Sequence, residues 1–281
     1  MTRPVTPVVT PIVGTAATSL PELLTLERIE DDMFRTVVIS QDPTGLYGGQ
    51  VAAQALRAAA ETVPAGRNPH SLHGYFLSRG DAGQRVLLTV RRDRDGRSYS
   101  NRRVIAVQSG NVIFNMAASF HVPEEGTDYQ ASALPDVTSP EDLPERVIGH
   151  RMHGVDIRIP EQPNREQEWP SRVWMRAQHG LDGDTLHACA LTYISDMFTG
   201  LAAVPGIGFS GPLTSIDHSV WFYRHVALDD WVLMDLHPES TSGGRGMYRG
   251  RIFSRDGQLA AGIAQESLFR PGTSRTGPLA R

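Results

Sequence analysis

The chain repeats itself. Gly96, Arg102, Ile105, Gly110 and Ala117 recur as Gly243, Arg249, Ile252, Gly257 and Ala264, each 147 positions later, and the same offset lays Phe222 on Tyr75. Aromatic, turn-glycine and arginine positions sharing one spacing point to two copies of a single supersecondary unit. A chain of 281 residues has room for one large unit or for two of about 100–150 residues. The repeat selects two.

Each copy reads as one helix followed by about four antiparallel strands. In the first, Gly49 to Val63 puts Val51, Ala52, Ala55, Leu56, Ala59 and Ala60 at helical spacing, and Pro64 and Gly66 close it. Extended runs follow at Ser71–Leu77, Val86–Val90, Arg102–Val107 and Val112–Phe120, separated by turn residues. In the second, Asp184 is the expected N-cap of a helix over Thr185–Phe198, with Leu186, Ala190, Tyr193 and Met197 on one face. Extended runs then cover Ser215–Tyr223, Trp231–Leu236, Arg249–Ser254 and Gln258–Leu268, the last two joined by Asp256-Gly257, a strong hairpin signal.

A long helix on a curved antiparallel sheet, twice over, with the two sheets joined edge to edge to hide an exposed strand, is an α+β double hotdog. The expected organisation is a tail over 1–19, a first hotdog over 20–123, a linker over 124–150, a second hotdog over 151–271 carrying the chemistry, and a tail over 272–281. The linker assignment rests on the acidic, period-free run Glu124–Glu145, with Pro135, Pro140 and Pro144 inside it.

Composition narrows the function classes. The net charge of −4 gives no field to attract nucleic acid. No apolar run approaches the ~20 residues of a membrane span. Cys189 is the single cysteine, so neither a disulfide framework nor a cysteine metal cluster is expected. Met1–Ser19 lacks a charged segment followed by an apolar core, so no signal peptide is read and a cytoplasmic location is expected.

Several short motifs fail on context. Gly206 to Gly211 spells G-x-G-x-x-G, but Pro212 and an extended run follow rather than a helix. Ser210 lies in Gly-Phe-Ser-Gly-Pro, which is not a nucleophile elbow. His70/His73 and His150/His153 have H-x-x-H spacing, the first pair in a strand where i and i+3 point apart. No metal and no cofactor is expected. Arg97, Arg102, Arg103, Arg245 and Arg249 gather around the repeated turns, as solvated surface or as forks for phosphate.

Some runs carry a resemblance. LLTLERIEDDMFR, GGQVAAQAL, HSLHGYFLSRGD, NRRVIAVQSGNVIF and AASFHVPE in the first half, and YISDMF, SIDHSVWFYR, ESTSGGRGMYRGRIFSRDG and AQESLFR in the second, resemble the type II acyl-CoA thioesterases, the TesB family. They reach from about Leu23 to Arg270. The resemblance implies hydrolysis of an acyl-CoA to free acid and CoA, with no metal and no acyl-enzyme, and commonly a homo-oligomer. It also implies a water held by an Asp, a Thr or Ser, and a Gln. Residue by residue these become Asp196 of the SDMF run, Ser215 before Ile-Asp-His, and Gln265 near the end. The family pattern has Thr where Ser215 stands; Ser keeps the hydroxyl and loses the methyl that restricts its rotamer.

Taken alone, each residue has a plainer reading: Asp196 on a solvated helix face, Ser215 at a strand start, Gln265 outward on a strand. Against that, Ile194, Met197 and Phe198 surround Asp196 with apolar side chains. The offset of 147 lays Asp196 on Gly49, Gln265 on Ala118, and Ser215 on Asn68 or, with a short gap, near Ser71. One polar set implies one site per chain. His218 is read as a structural hydrogen-bonder and reserve catalytic residue, and the oxyanion donor as a backbone N–H around Gly48–Gln50 or its counterpart in the second copy, a choice the sequence leaves open. The rival readings are a catalytically silent acyl-CoA binder and an enoyl-CoA hydratase, for which no Asp-x-Asn-Pro-x-His run is present.

Overall fold

A computed structural model describes residues 15–16, 19–40, 42–146, 154–164, 167, 169–178, 180–204 and 213–268. Residues before 15 and after 268, the His150/His153 pair and the glycine-rich run 206–211 lie outside them.

The chain opens with β1 (Thr15–Ala16) and a short helix α1 (Leu20–Leu23), followed by β2 (Leu26–Glu30), β3 (Met33–Thr36) and β4 (Val38–Ile39). Next come α2 (Gly48–Ala60), β5 (Asn68–Phe76), β6 (Leu87–Asp95), β7 (Tyr99–Gln108) and β8 (Asn111–His121). The second half holds β9 (Val155–Arg158), β10 (Arg172–Ala177), α3 (Asp184–Ser195), β11 (Thr214–Ser215), β12 (Asp217–Phe222), β13 (Val232–Ser242), β14 (Arg245–Ser254) and β15 (Leu259–Leu268). One sheet runs β2-β3-β6-β7-β8-β5-β12-β15-β14-β13-β10-β9, with β11 also on β15; β1 and β4 pair separately. The order reads the same from both ends, and the two halves join where β5 meets β12, Leu72 opposite Val220. This is the double hotdog.

α2 is built from Ala, Gln, Leu and Arg, strong helix formers, and is buried nearly all round. Its alanines let it lie close against the sheet on one side and α3 on the other. Tyr47 locks the crossing: its ring meets that of Tyr193 edge-on at 5.2 Å, and its hydroxyl donates to the Tyr193 carbonyl at 2.7 Å. The main core fills the space between helices and sheet. A second cluster, Trp174, Trp231, Leu233 and Phe253, lies under Leu134, Val137 and Leu143 of the acidic run. That run is a strap: Trp174 Nε1 donates to the Thr138 carbonyl at 3.1 Å, and Gln130 bonds both Gly257 O and Leu259 N.

The repeat needs correction at three points. Ala264 pairs with Ser219 and Arg249, as Ala117 pairs with His73 and Arg103. The strand counterparts are thus 147 apart for β8/β15 but 146 for β5/β12 and β7/β14. Arg249 answers Arg103, and buried Tyr248 answers Arg102. The helices follow a different spacing: α2 is capped at Glu61 and α3 at Asp196. Asp196 therefore answers Glu61, 135 residues earlier, and not Gly49. The cause is the helix-to-strand connection, short after α2 and long after α3.

Asp184 is the first residue of α3, not its cap; Gly183, at φ 80°, precedes it, and Asp184 turns outward to accept from Asn68 Nδ2 at 3.0 Å. The run Ser215–Tyr223 is broken at Ile216 into β11 and β12. Arg102 is neither solvated surface nor a free phosphate fork. It is buried, with Nε on Thr62 Oγ1 at 2.8 Å and Nη2 on Thr62 O and Asp95 Oδ1 at 2.9 and 2.8 Å. Arg103 pairs with Asp93, Arg245 with Glu266 and Arg249 with Glu239.

Candidate active site

Asp196, Ser215 and Gln265 come from three elements and meet in one hydrogen-bonded knot. α3 ends at Ser195, so Asp196 stands where the helical backbone leaves off. β11 pairs Ser215 with Ser267, which aims Ser215 at the same spot. Gln265 lies opposite Tyr248 in β15, buried and pointing inward, not outward as a strand glutamine ordinarily would. Ser215 Oγ donates to Asp196 Oδ1 at 3.0 Å. Gln265 Nε2 donates to the same oxygen at 2.8 Å and to Ser215 Oγ at 2.6 Å.

Both bonds to the carboxylate land on Oδ1. Oδ2 is turned to the start of α2, so close that a Cβ on Gly48 would lie 2.5 Å from it. A carboxylate at the negative end of α3 would be poorly placed by itself. Here the positive end of α2 faces it. The N-cap residue Tyr47 makes no side-chain cap bond, and the first N–H groups of α2, at Gly48, Gly49 and Gln50, have no intrahelical acceptors. Phe76 closes the apolar side, its ring atoms 2.9 Å from the same imagined Cβ.

Behind the amide lies His218, fully buried. Its Nδ1 donates to Gln265 Oε1, and its Nε2 is 2.7 Å from Ser195 Oγ. Burial pushes its pKa down, against the pull of Asp196, the Gln265 bond and Asp217. The sequence marks His218 as a hydrogen-bonder but carries no signal for its partners, since Ser195, His218 and Gln265 lie on three elements.

Among the described residues the knot is not duplicated. The counterparts of Ser215 and Gln265 are Pro69 and Ala118, and Glu61, answering Asp196, pairs with Arg57 Nη2 at 2.6 Å. A groove lined by Asn68, His70, His121, Asp184, His187 and Phe222 occupies that pseudo-equivalent end. The histidines of the first H-x-x-H pair point apart: His70 bonds Ser119 Oγ at 2.8 Å and His73 bonds Ser219 Oγ at 3.0 Å. Among the described residues no cluster of three or more His, Cys, Asp or Glu could hold a metal ion.

Fold and comparison together place the chain among the double-hotdog thioester hydrolases. Models of the acyl-CoA thioesterase N-terminal and C-terminal domains match residues 39–121 and 131–269. The chain is 34% identical to acyl-CoA thioesterase 2 of Haemophilus influenzae over 278 residues, covering 90% of this chain and 97% of that one. It is 34% identical to human acyl-coenzyme A thioesterase 8 over 282 residues, 88% of each. Among solved structures, acyl-CoA thioesterase II TesB2 of Mycobacterium marinum is similar at a TM-score of 0.77 and 37% identity, covering 90% of this chain and 98% of that one. A hotdog-fold protein of Alicyclobacillus acidocaldarius, at 20% identity and a TM-score of 0.78, supports the fold. The chain belongs to the type II acyl-CoA thioesterases, enzymes that hydrolyse acyl-CoA thioesters.

Proposed function

We propose that Asp196, Ser215 and Gln265 hold the water that hydrolyses the thioester, with the start of α2 as the oxyanion site. One observation carries this reading: Asp196 Oδ1 receives both Ser215 Oγ and Gln265 Nε2, which leaves Oδ2 toward the helix start. Water entering there donates one proton to Asp196 Oδ2 and the other to Ser215 Oγ. Gln265, with an N–H on each of those groups, forms the third side of the cradle. The water oxygen attacks the acyl carbon while Asp196 takes its proton. The carbonyl oxygen becomes negative and meets the N–H groups of Gly48, Gly49 and Gln50. The C–S bond then breaks, the acid is released, and the CoA thiolate recovers a proton from Asp196 or solvent. A thiolate is a tolerable leaving group, so no strong general acid is needed. Neither a metal nor an acyl-enzyme is needed.

The unit boundaries we propose are those of the sequence reading, 20–123 and 151–271. No described helix is long and apolar enough to cross a membrane, and the lone, buried Cys189 suits a cytoplasmic setting. Tyr75, Trp221 and Tyr223 are exposed, and Tyr75 and Trp221 lie on the neighbouring strands β5 and β12 at the join of the two sheets. This supports a homo-oligomer built through that region.

The test is thiol release from one short and one medium acyl-CoA by the wild type and Gln265→Ala. The reading expects a large fall in kcat with modest change in KM, because the amide orders the two groups that hold the water and does not bind CoA. Wild-type kcat in Gln265→Ala on both substrates would remove the amide from the site, and an absence of thiol release by the wild type would leave a silent binder or a hydratase.

A further inference from the structure

We propose that His218 is a positioning residue for hydrolysis, fixing through Gln265 which end of the amide faces Asp196 and Ser215. The inference rests on the site reading above and deepens it.

The two ends of a glutamine amide have nearly the same shape and opposite hydrogen-bonding character. In this site only one orientation works. Asp196 Oδ1, 2.8 Å from Gln265 Nε2, is a carboxylate oxygen and only accepts. With the amide turned over, two oxygens would face each other in a buried place, and Ser215 Oγ would lose its incoming N–H. The hold from the Asp196 side weakens during catalysis, when a proton taken up on Oδ2 removes the negative charge from Oδ1, the oxygen that accepts from Gln265 Nε2. A second hold comes from behind. Gln265 Oε1 faces His218 Nδ1. An amide oxygen donates nothing, so Nδ1 must carry a proton, and that N–H rewards only the oxygen end.

The ring cannot easily turn away. It is fully buried. Its Nε2 is held by Ser195 Oγ at 2.7 Å, and that hydroxyl lies 2.9 Å from the Thr192 carbonyl. Ser195 is the residue before Asp196, so the last turn of α3 supplies the carboxylate and, through Ser195 and the ring, steadies the amide that bonds it. Burial lowers the ring's pKa, and a neutral ring that keeps Nδ1–H accepts the Ser195 hydroxyl at Nε2, the hydroxyl turning its single proton from the Thr192 carbonyl to the ring.

The test compares kcat and KM for thiol release in four enzymes: wild type, His218→Leu, Gln265→Ala, and the double variant. His218→Leu is expected to lower kcat by about 10- to 100-fold with KM nearly unchanged, and to add little further loss in the Gln265→Ala background, because its effect passes through that amide. A second pair covers the case of a His218→Leu chain that does not fold. His218→Asn keeps an N–H near the Nδ1 position, whereas His218→Gln carries its amide out toward Ser195. Asn should therefore retain several-fold more kcat than Gln. Wild-type kcat in His218→Leu, an equal loss with and without Gln265, or Asn no better than Gln would each overturn the inference. A Gln265→Ala enzyme with wild-type kcat would instead sink the site reading beneath it.

Discussion

Asp196 and Gly48 are in as close an approach as a glycine allows: a Cβ at Gly48 would stand 2.5 Å from Asp196 Oδ2 and 2.9 Å from the Phe76 ring. The contact joins the end of α3 to the start of α2. Gly48→Ala should therefore push the carboxylate off its place and lower kcat by about 10- to 100-fold, since misplacement of about 1 Å can cost that much. Gly126→Ala, with open space around it, should leave kcat unchanged. Steady-state rates of both variants check this, and equal activity of the two would dissolve the claimed approach.

Ser215 contributes a hydroxyl to the knot, between Gln265 Nε2 at 2.6 Å and Asp196 Oδ1 at 3.0 Å. Ser215→Thr keeps that hydroxyl and only narrows its rotamers, so thiol release should stay within a few-fold of wild type. Ser215→Ala leaves the water without one partner and should lower kcat. An Ala variant as fast as the Thr variant would exclude the hydroxyl.

Cys189 is buried in the core on α3, and burial pushes its thiol up to about 12. The thiolate is the reactive form. The native enzyme should thus give no signal with a disulfide thiol reagent, and the denatured chain should give one equivalent, from its single cysteine. A fast native reaction would contradict the burial.

Glu161 anchors the strap: its carboxylate accepts from the Thr138 hydroxyl and, at 3.0 Å, from the Thr138 N–H, which hold its pKa down to about 2. A carboxyl depressed on folding stabilises above its unfolded pKa of about 4.3 and loses that contribution as pH falls toward the folded value. The Tm advantage of wild type over Glu161→Gln should be full near pH 6 and shrink between about pH 5 and pH 2. Thermal melts across that range test it; an advantage independent of pH would contradict it.

Helices and hairpins with regular apolar spacing were legible in the sequence. α2 is found within one to three residues of its expected bounds, and Asp256-Gly257 turns the last hairpin, Gly257 at φ 89°. The short outer strands β2, β3, β9 and β10 were not. Leu26–Glu30 is mostly exposed, so it carries no alternation to read. Five shared positions carry the repeat, but one offset does not cross helix-to-strand connections of unequal length, so it sets Asp196 on Gly49 where the fold sets it on Glu61. The three polar residues came from resemblance. Their meeting, and the link from Gln265 through His218 to Ser195, depends on side chains brought together from distant strands and one helix end, which no local pattern records.

The claim that Asp196 is the base can be met directly with Asp196→Asn. The amide is nearly isosteric and can still hydrogen-bond within the knot, but it cannot take a proton from water. Thiol release from a medium-chain acyl-CoA by the folded variant should fall to under roughly a tenth of wild-type kcat, since loss of a general base costs about 10²–10⁴-fold. A folded Asp196→Asn enzyme that keeps more than that would contradict the account.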